Sequence, residues 1–241
     1  MRKLACYFCA CLLGAAQQAA QPPTFGSTVV IPSGLRGEVY LIKDKTVVLP
    51  NFERRKLKAA GTIWTTTLNI PPRHWREGFP GVTKRFEWFA INYTGRFWID
   101  EPGRYEFALL SDDGANLFID EQLVIDNDCQ HPPAVRAAYV TLSGGTHRIR
   151  VPYFQGPRDC LALILAVAGP EGQWRAFSTD VLKPPPNPEN WKYTQTNNAV
   201  LELEGDDAPP KIDELLRALG DEADASAAAG CVAYPTRDCG K

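Results

Sequence analysis

Through most of this chain apolar and polar positions alternate with a period of two. Glu38-Val39-Tyr40-Leu41-Ile42 opens the pattern. Strand-like runs follow at Thr62–Leu68, Arg85–Tyr93, Gly95–Ile99, Gly103–Leu110, Ala115–Ile119, Gln122–Ile125, Ala137–Leu142, His147–Phe154 and Leu161–Ala168. These runs are rich in β-branched and aromatic residues and are separated by turn pairs such as Pro102-Gly103 and Gly144-Gly145. One short helix is expected over Glu53–Ala60. Many short strands without intervening helices predict an all-β sandwich or barrel.

The pattern changes at both ends. Met1-Arg2-Lys3 precedes an apolar run, Leu4 to Ala16, that is too short for a bilayer core needing roughly 20 residues. A basic start, a short apolar stretch and small residues after it predict a secretory signal peptide over residues 1–20. At the other end, Lys183-Pro184-Pro185-Pro186-Asn187-Pro188 reads as a stiff linker closing a sandwich of residues 27–182. Beyond it, in 183–241, Ile212, Leu215, Leu216 and Leu219 fall at i, i+3, i+4 and i+7 before Gly220. That spacing predicts one amphipathic helix in a short acidic tail. The helix is expected to dock on the sandwich or to hold a protein partner.

Composition adds constraints. The 241 residues hold a formal charge of −2, so no broad basic surface suited to nucleic acid is expected. The acid is concentrated, with ten acidic and four basic residues from Glu202 to Lys241. Of seven cysteines, Cys6, Cys9 and Cys11 lie within the apolar leader. The remaining Cys129, Cys160, Cys231 and Cys239 suggest two disulfides in an exported chain, with three connectivities open. Proximity favours Cys231–Cys239, which leaves Cys129–Cys160. None of the four lies in a Cys-x-x-Cys pair, which argues against zinc.

Chemistry concentrates at one end of the expected sheet. Gly103 to Leu110 runs into Ser111-Asp112-Asp113-Gly114. If the following hairpin is centred on Asp120-Glu121, Asp113 faces Asp128 and Ala115 faces Asp126. Asp112, Asp113, Asp126, Asn127 and Asp128 then gather in one place. Clustered carboxylates repel unless a cation lies among them, and hard oxygens without His or Cys select calcium. Asp and Asn also favour turns, so the cluster reads equally as turn chemistry ending a strand.

The residues Gly95-Arg96-Phe97-Trp98-Ile99, Gly103-Arg104-Tyr105-Glu106-Phe107, Ser111-Asp112-Asp113-Gly114, Leu117-Phe118-Ile119-Asp120, Val124-Ile125-Asp126-Asn127, Gly145 to Val151 and Tyr153-Phe154 occur in order. Together with Gly34-Leu35-Arg36-Gly37 they resemble the PA14 domain over about residues 34–182. The resemblance implies a β-sandwich with a small added subdomain. It also implies a calcium ion held by Asp112 and Asp113 across a cis peptide, with the calcium holding sugar hydroxyls. Asp128, Asn127, Gln155 and Asp159 are further metal candidates. In the family's sugar-binding members the second metal loop supplies an Asn, but here it reads Gln155-Gly156-Pro157-Arg158-Asp159. A Cys129–Cys160 bridge would tie the Asp126–Asp128 return to this loop.

Trp75 and Phe79, in the Pro-rich loop 69–80, either anchor that loop to its own core or form an aromatic platform beside the metal, with Trp75 and Arg158 as candidate sugar contacts. Trp88 and Trp98 are expected in the core. His74, His131 and His147 form no metal-binding pattern, and Ser111 lacks a nucleophile-elbow context. Adjacent Asp side chains suit poorly the roughly 5–10 Å spacing of a glycosidase pair. The reading is therefore a secreted, periplasmic or cell-surface module. It is expected to be non-catalytic and to bind glycan through calcium. The alternative is a structural or protein-interaction module of the cell envelope.

Overall fold

The computed structural model describes residues 33–53, 57–82, 85–157, 159–185 and 208–220. The expected signal peptide, Cys231, Cys239, Arg158 and the linker beyond Pro185 lie outside the described residues. Among the described residues there are eleven strands: β1 (Leu35–Leu41), β2 (Ala59–Thr65), β3 (Asn69–His74), β4 (Phe89–Ile99), β5 (Gly103–Asp112), β6 (Ala115–Ile119), β7 (Gln122–Asn127), β8 (Ala134–Leu142), β9 (Gly145–Gln155), β10 (Cys160–Ala168) and β11 (Trp174–Ala176). One helix, α1 (Ile212–Ala218), follows.

The strands form two antiparallel sheets. The first has the order β2-β1-β4-β9-β6-β7, and the second β11-β10-β5-β8, with β3 also on β10. The all-β sandwich expected from the alternation is the fold. Between the sheets the core gathers Leu35, Tyr93, Phe97, Phe107, Leu109, Tyr153, Leu163, Leu165 and their neighbours. In β4 the inward positions Phe89, Ile91, Tyr93, Phe97 and Ile99 alternate with outward ones, as a half-buried strand requires. The expected break at Thr94-Gly95 is absent, and β4 runs through Gly95. No helix occupies 57–60; the described part of the expected Glu53–Ala60 helix instead leads into β2.

β10 is buried at every position, Cys160 to Ala168. Its continuous apolar run follows from cover on both faces. Leu161, Leu163, Leu165 and Val167 face the sandwich core. Ala162, Ile164 and Ala166 pack with Ala108, Leu110 and α1's Leu215 and Leu216 on the other side. Ile212 and Leu219 add to the same cluster. The expected amphipathic helix therefore spends its apolar stripe on the chain's own sheet.

Among the described residues, the outer face of the six-stranded sheet is covered over part of its area. Ile42, Leu49 and Phe52 pack there on Ala90, Phe154 and Trp88. Trp88, like Trp98, is half-buried rather than in the core.

The hairpin of β6 and β7 departs from the expected register. Ile119 pairs with Gln122 and Phe118 with Leu123, but a bulge then places Leu117 opposite Ile125 and Ala115 opposite Asn127. Val124 and Ile125 are both buried, and the extra residue moves everything after it by one place. Asp126 consequently faces solvent while Asn127 is buried. The gathered cluster loses Asp126.

Candidate functional site

Asp112 ends β5 and Asp113 follows it; both side chains are 0% exposed. The peptide between them is cis, as the resemblance implies. Asp113 is fixed from two directions. Its Oδ2 accepts the Gly156 N–H at 2.6 Å, and its Oδ1 accepts the His131 N–H at 3.2 Å. The loop after β9 and the loop after β7 are thus both anchored on one carboxylate.

Glycine shapes the surrounding backbone. A Cβ on Gly156 would lie 2.9 Å from Asp113 Oδ2. A Cβ on Gly114 would lie 2.5 Å from Phe154 Cε1, 2.7 Å from the Cys129 nitrogen and 2.9 Å from Asp128 Oδ1. Three chain segments thus converge on the Asp pair at distances that only glycine permits.

The other residues named from sequence take different places. Asp128 sits beside Gly114, where its Oδ1 accepts the Leu49 N–H at 2.8 Å. Asn127 turns its amide nitrogen inward, donating to Ser111 Oγ at 2.9 Å and to the Ala134 carbonyl at 3.1 Å. Gln155 is fully buried; its Nε2 donates to the Cys160 carbonyl at 2.9 Å and its Oε1 lies 2.6 Å from the Tyr153 hydroxyl. That hydroxyl also lies 2.7 Å from the Asp112 carbonyl, so one proton serves two acceptors. Burial first, and then the Asp112 and Asp113 charges, push the Tyr153 phenol well above its ordinary range, which keeps it a donor. Gln155 and Tyr153 thereby join the second loop to the Asp pair from beneath.

Asp159 carries an exposed side chain, and its main-chain carbonyl accepts the Trp75 N–H at 3.2 Å. With His74 opposite Cys160 and Arg73 opposite Leu161, β3 brings Trp75 next to the second loop. Trp75 is half-buried, edge-on to Phe86 at 6.1 Å. Phe79 is instead a core residue, stacked on Tyr153 at 5.2 Å between centroids. It anchors the loop and does not present a platform. Cys129 and Cys160, the cysteines among the described residues, are disulfide-bonded.

Sequence reasoning missed His131, Gly156 and Tyr153. His131 reaches the site through its main chain, and both its ring nitrogens lie against carbonyls, of Pro132 at 2.7 Å and Asn127 at 3.0 Å. No spacing rule signals a main-chain donor.

The PA14 domain model matches residues 52–175. The chain belongs to the PA14 domain family. Solved PA14 structures share its fold. A PA14 sugar-binding domain from an RTX adhesin is 18% identical with a TM-score of 0.51, covering 61% of this chain and 96% of that one. The PA14 domain of the MpAFP antifreeze protein is 17% identical with a TM-score of 0.51, covering 68% and 94%. An anti-sigma factor domain-containing protein is 22% identical with a TM-score of 0.50, covering 64% of this chain but 48% of its own. No curated protein matches the chain.

The donor chemistry of this PA14 site suits a hard cation. Two adjacent carboxylates share a cradle that glycines keep open. Among the described residues no group of three or more His, Cys, Asp and Glu is arranged to hold a metal. Further ligands would have to be amide, main-chain or water oxygens, which calcium accepts and zinc seldom does.

Proposed function

We propose that this PA14 domain is a secreted, periplasmic or cell-surface module that binds carbohydrate through a calcium ion held by Asp112 and Asp113. The observation that carries this reading is the complete burial of two neighbouring carboxylates at a loop-rimmed end of the sandwich. Burying charge is costly unless an opposite charge accompanies it, and a divalent cation supplies that charge in one atom.

In this reading Asp112 and Asp113 bind the ion through side-chain oxygens. Asp128 stands next in line, its Oδ1 already positioned by Leu49. Gln155 and Asn127 act as positioning residues, because their amide nitrogens hold the flanking loops to the sandwich. The loop at 156–159 offers main-chain oxygens and the Asp159 carboxylate. Bound calcium supplies coordination positions at which water gives way to vicinal sugar hydroxyls. Trp75, tied to Asp159, adds an apolar ring beside them, and Arg158 is a candidate hydrogen-bond donor. Little apolar area is buried, so a monosaccharide would bind at about millimolar Kd.

Support comes from the family itself and from the fold shared with a domain described as sugar-binding. Disulfide-bonded Cys129 and Cys160 agree with an oxidising compartment. Among the described residues no helix is long and apolar enough to cross a membrane. No catalytic step is assigned.

A glycan array probed with the protein in millimolar calcium and again in EGTA tests the proposal. Signals on a restricted set of glycans that vanish in EGTA are expected. Silence in both conditions would favour an assembly module, and signals indifferent to EGTA would remove calcium from the account.

A further inference from the structure

Among the described residues Ile42, Leu49 and Phe52 cover one half of the six-stranded sheet, and the other half carries a groove of about 630 Å³ on its outer face. Arg36, Arg96, Arg148, Arg150 and Lys183 line it, against one lining carboxylate, Glu121. Trp64, Trp98 and Phe118 complete its walls. Strand register explains the concentration. Arg96 on β4 faces Arg148 on β9 directly, Thr94 faces Arg150, and Arg36 on β1 faces Thr94. The guanidinium groups therefore cross three strands spaced about 4.8 Å apart, and Arg148 and Arg150 repeat along β9 at about 7 Å.

Like charges directly opposite on a sheet cost stability, so the Arg96–Arg148 pair is not explained by folding. Nearby acid neutralises it only in part. Glu38 pairs with Arg36 at 2.9 Å and Glu121 with Arg148 at 3.8 Å. The Arg150 guanidinium carbon lies over the Phe118 ring, 3.7 Å from its centroid, a cation–π contact that helps to hold the donor fork in place.

We infer that this groove binds an anionic polysaccharide, its arginines pairing with carboxylate or sulfate groups along the chain. Charge complementarity selects a polyanion, because five cationic side chains face one carboxylate. The partly covered aromatic rings disfavour single-stranded nucleic acid. Phe118 is capped by Arg150, and Trp64 and Trp98 are half-buried, whereas strand binding relies on open rings for base stacking. The site is separate from the Asp pair. Arg148 precedes Gln155 by seven residues on β9, about 23 Å along the strand. The inference does not depend on calcium.

The test measures binding of the full chain to polygalacturonate, dextran sulfate, neutral dextran and poly(dT), all in EDTA. Polygalacturonate or dextran sulfate should bind and neutral dextran should not. Binding should weaken about tenfold or more as salt rises from 50 to 200 mM, as expected when several cations release counterions. Arg96→Ser/Arg148→Ser should lower affinity at least tenfold while its unfolding midpoint stays level or rises, since a repulsive pair is gone. Lys183→Ser, at the groove rim, should lower affinity less. Asp112→Asn/Asp113→Asn should bind the polymers like wild type. The inference fails if neither acidic polymer binds, if the arginine variant binds unchanged, if poly(dT) binds more tightly than both, or if the Asp variant also loses binding.

Discussion

Replacing Asp112 and Asp113 together by Asn is expected to abolish the stabilisation of this domain by calcium. A ligand that binds only the folded state stabilises it by RT ln(1 + [L]/Kd), about 2.7 kcal/mol at a hundredfold excess over Kd. Wild type should gain that amount in urea unfolding when calcium replaces EGTA, and the variant should gain nothing. Asn is close to Asp in size, so the cradle formed around Gly114 and Gly156 keeps its shape. It also retains one oxygen able to accept the His131 or Gly156 N–H. What disappears is negative charge and, at position 113, one of the two main-chain hydrogen bonds. An equal gain in both proteins would place any calcium effect elsewhere on the molecule.

The second large effect concerns the helix. Leu215 and Leu216 are 0% exposed against Ala108, Leu110, Ala162, Ile164 and Ala166. A buried Leu→Ala change costs about 2–5 kcal/mol. Seven helical residues are too few to hold a helix by themselves. Leu215→Ala/Leu216→Ala is therefore expected to undock α1 as well as open cavities, exposing the outer face of β5 and β10. Urea unfolding followed by tryptophan fluorescence should show a loss of at least 2 kcal/mol, because Trp174 packs on the same cluster. A change under 0.5 kcal/mol would mean that the helix contributes nothing to the sandwich.

This helix shows how much the sequence could tell. The i, i+3, i+4, i+7 stripe identified both its existence and its buried side, since a period of 3.6 needs only local information. Strand alternation located nine of the sandwich's strands in the same way. It missed the three-residue β11 and also β3, whose Pro71-Pro72 reads as loop; both lie on the same edge of β10, where proline is tolerated. It also misplaced Asp126. The bulge at Val124 depends on which two adjacent apolar side chains the core accepts, and no local period reveals that.

The candidate site was legible in its acidic pair and obscure in its supports. Asp112-Asp113-Gly114 stands out as a run of residues. Gly156 and His131 contribute backbone N–H groups from segments 43 and 18 residues away from Asp113. Only the closing of the sheets brings those donors to the carboxylate. Gln155, read as a metal ligand, is drawn beneath the site by Tyr153 and the Cys160 carbonyl, a partnership set by tertiary packing. The arginine groove escaped for the same reason. A net charge of −2 conceals Arg36, Arg96, Arg148 and Arg150, which lie on three strands far apart in sequence and meet only in register.

Isothermal titration of calcium into the metal-stripped protein decides whether Asp112 and Asp113 hold the ion. One ion per chain is expected, reversed by EGTA and absent in Asp112→Asn/Asp113→Asn. A flat titration of the folded wild-type protein, or one the double variant reproduces, would contradict it.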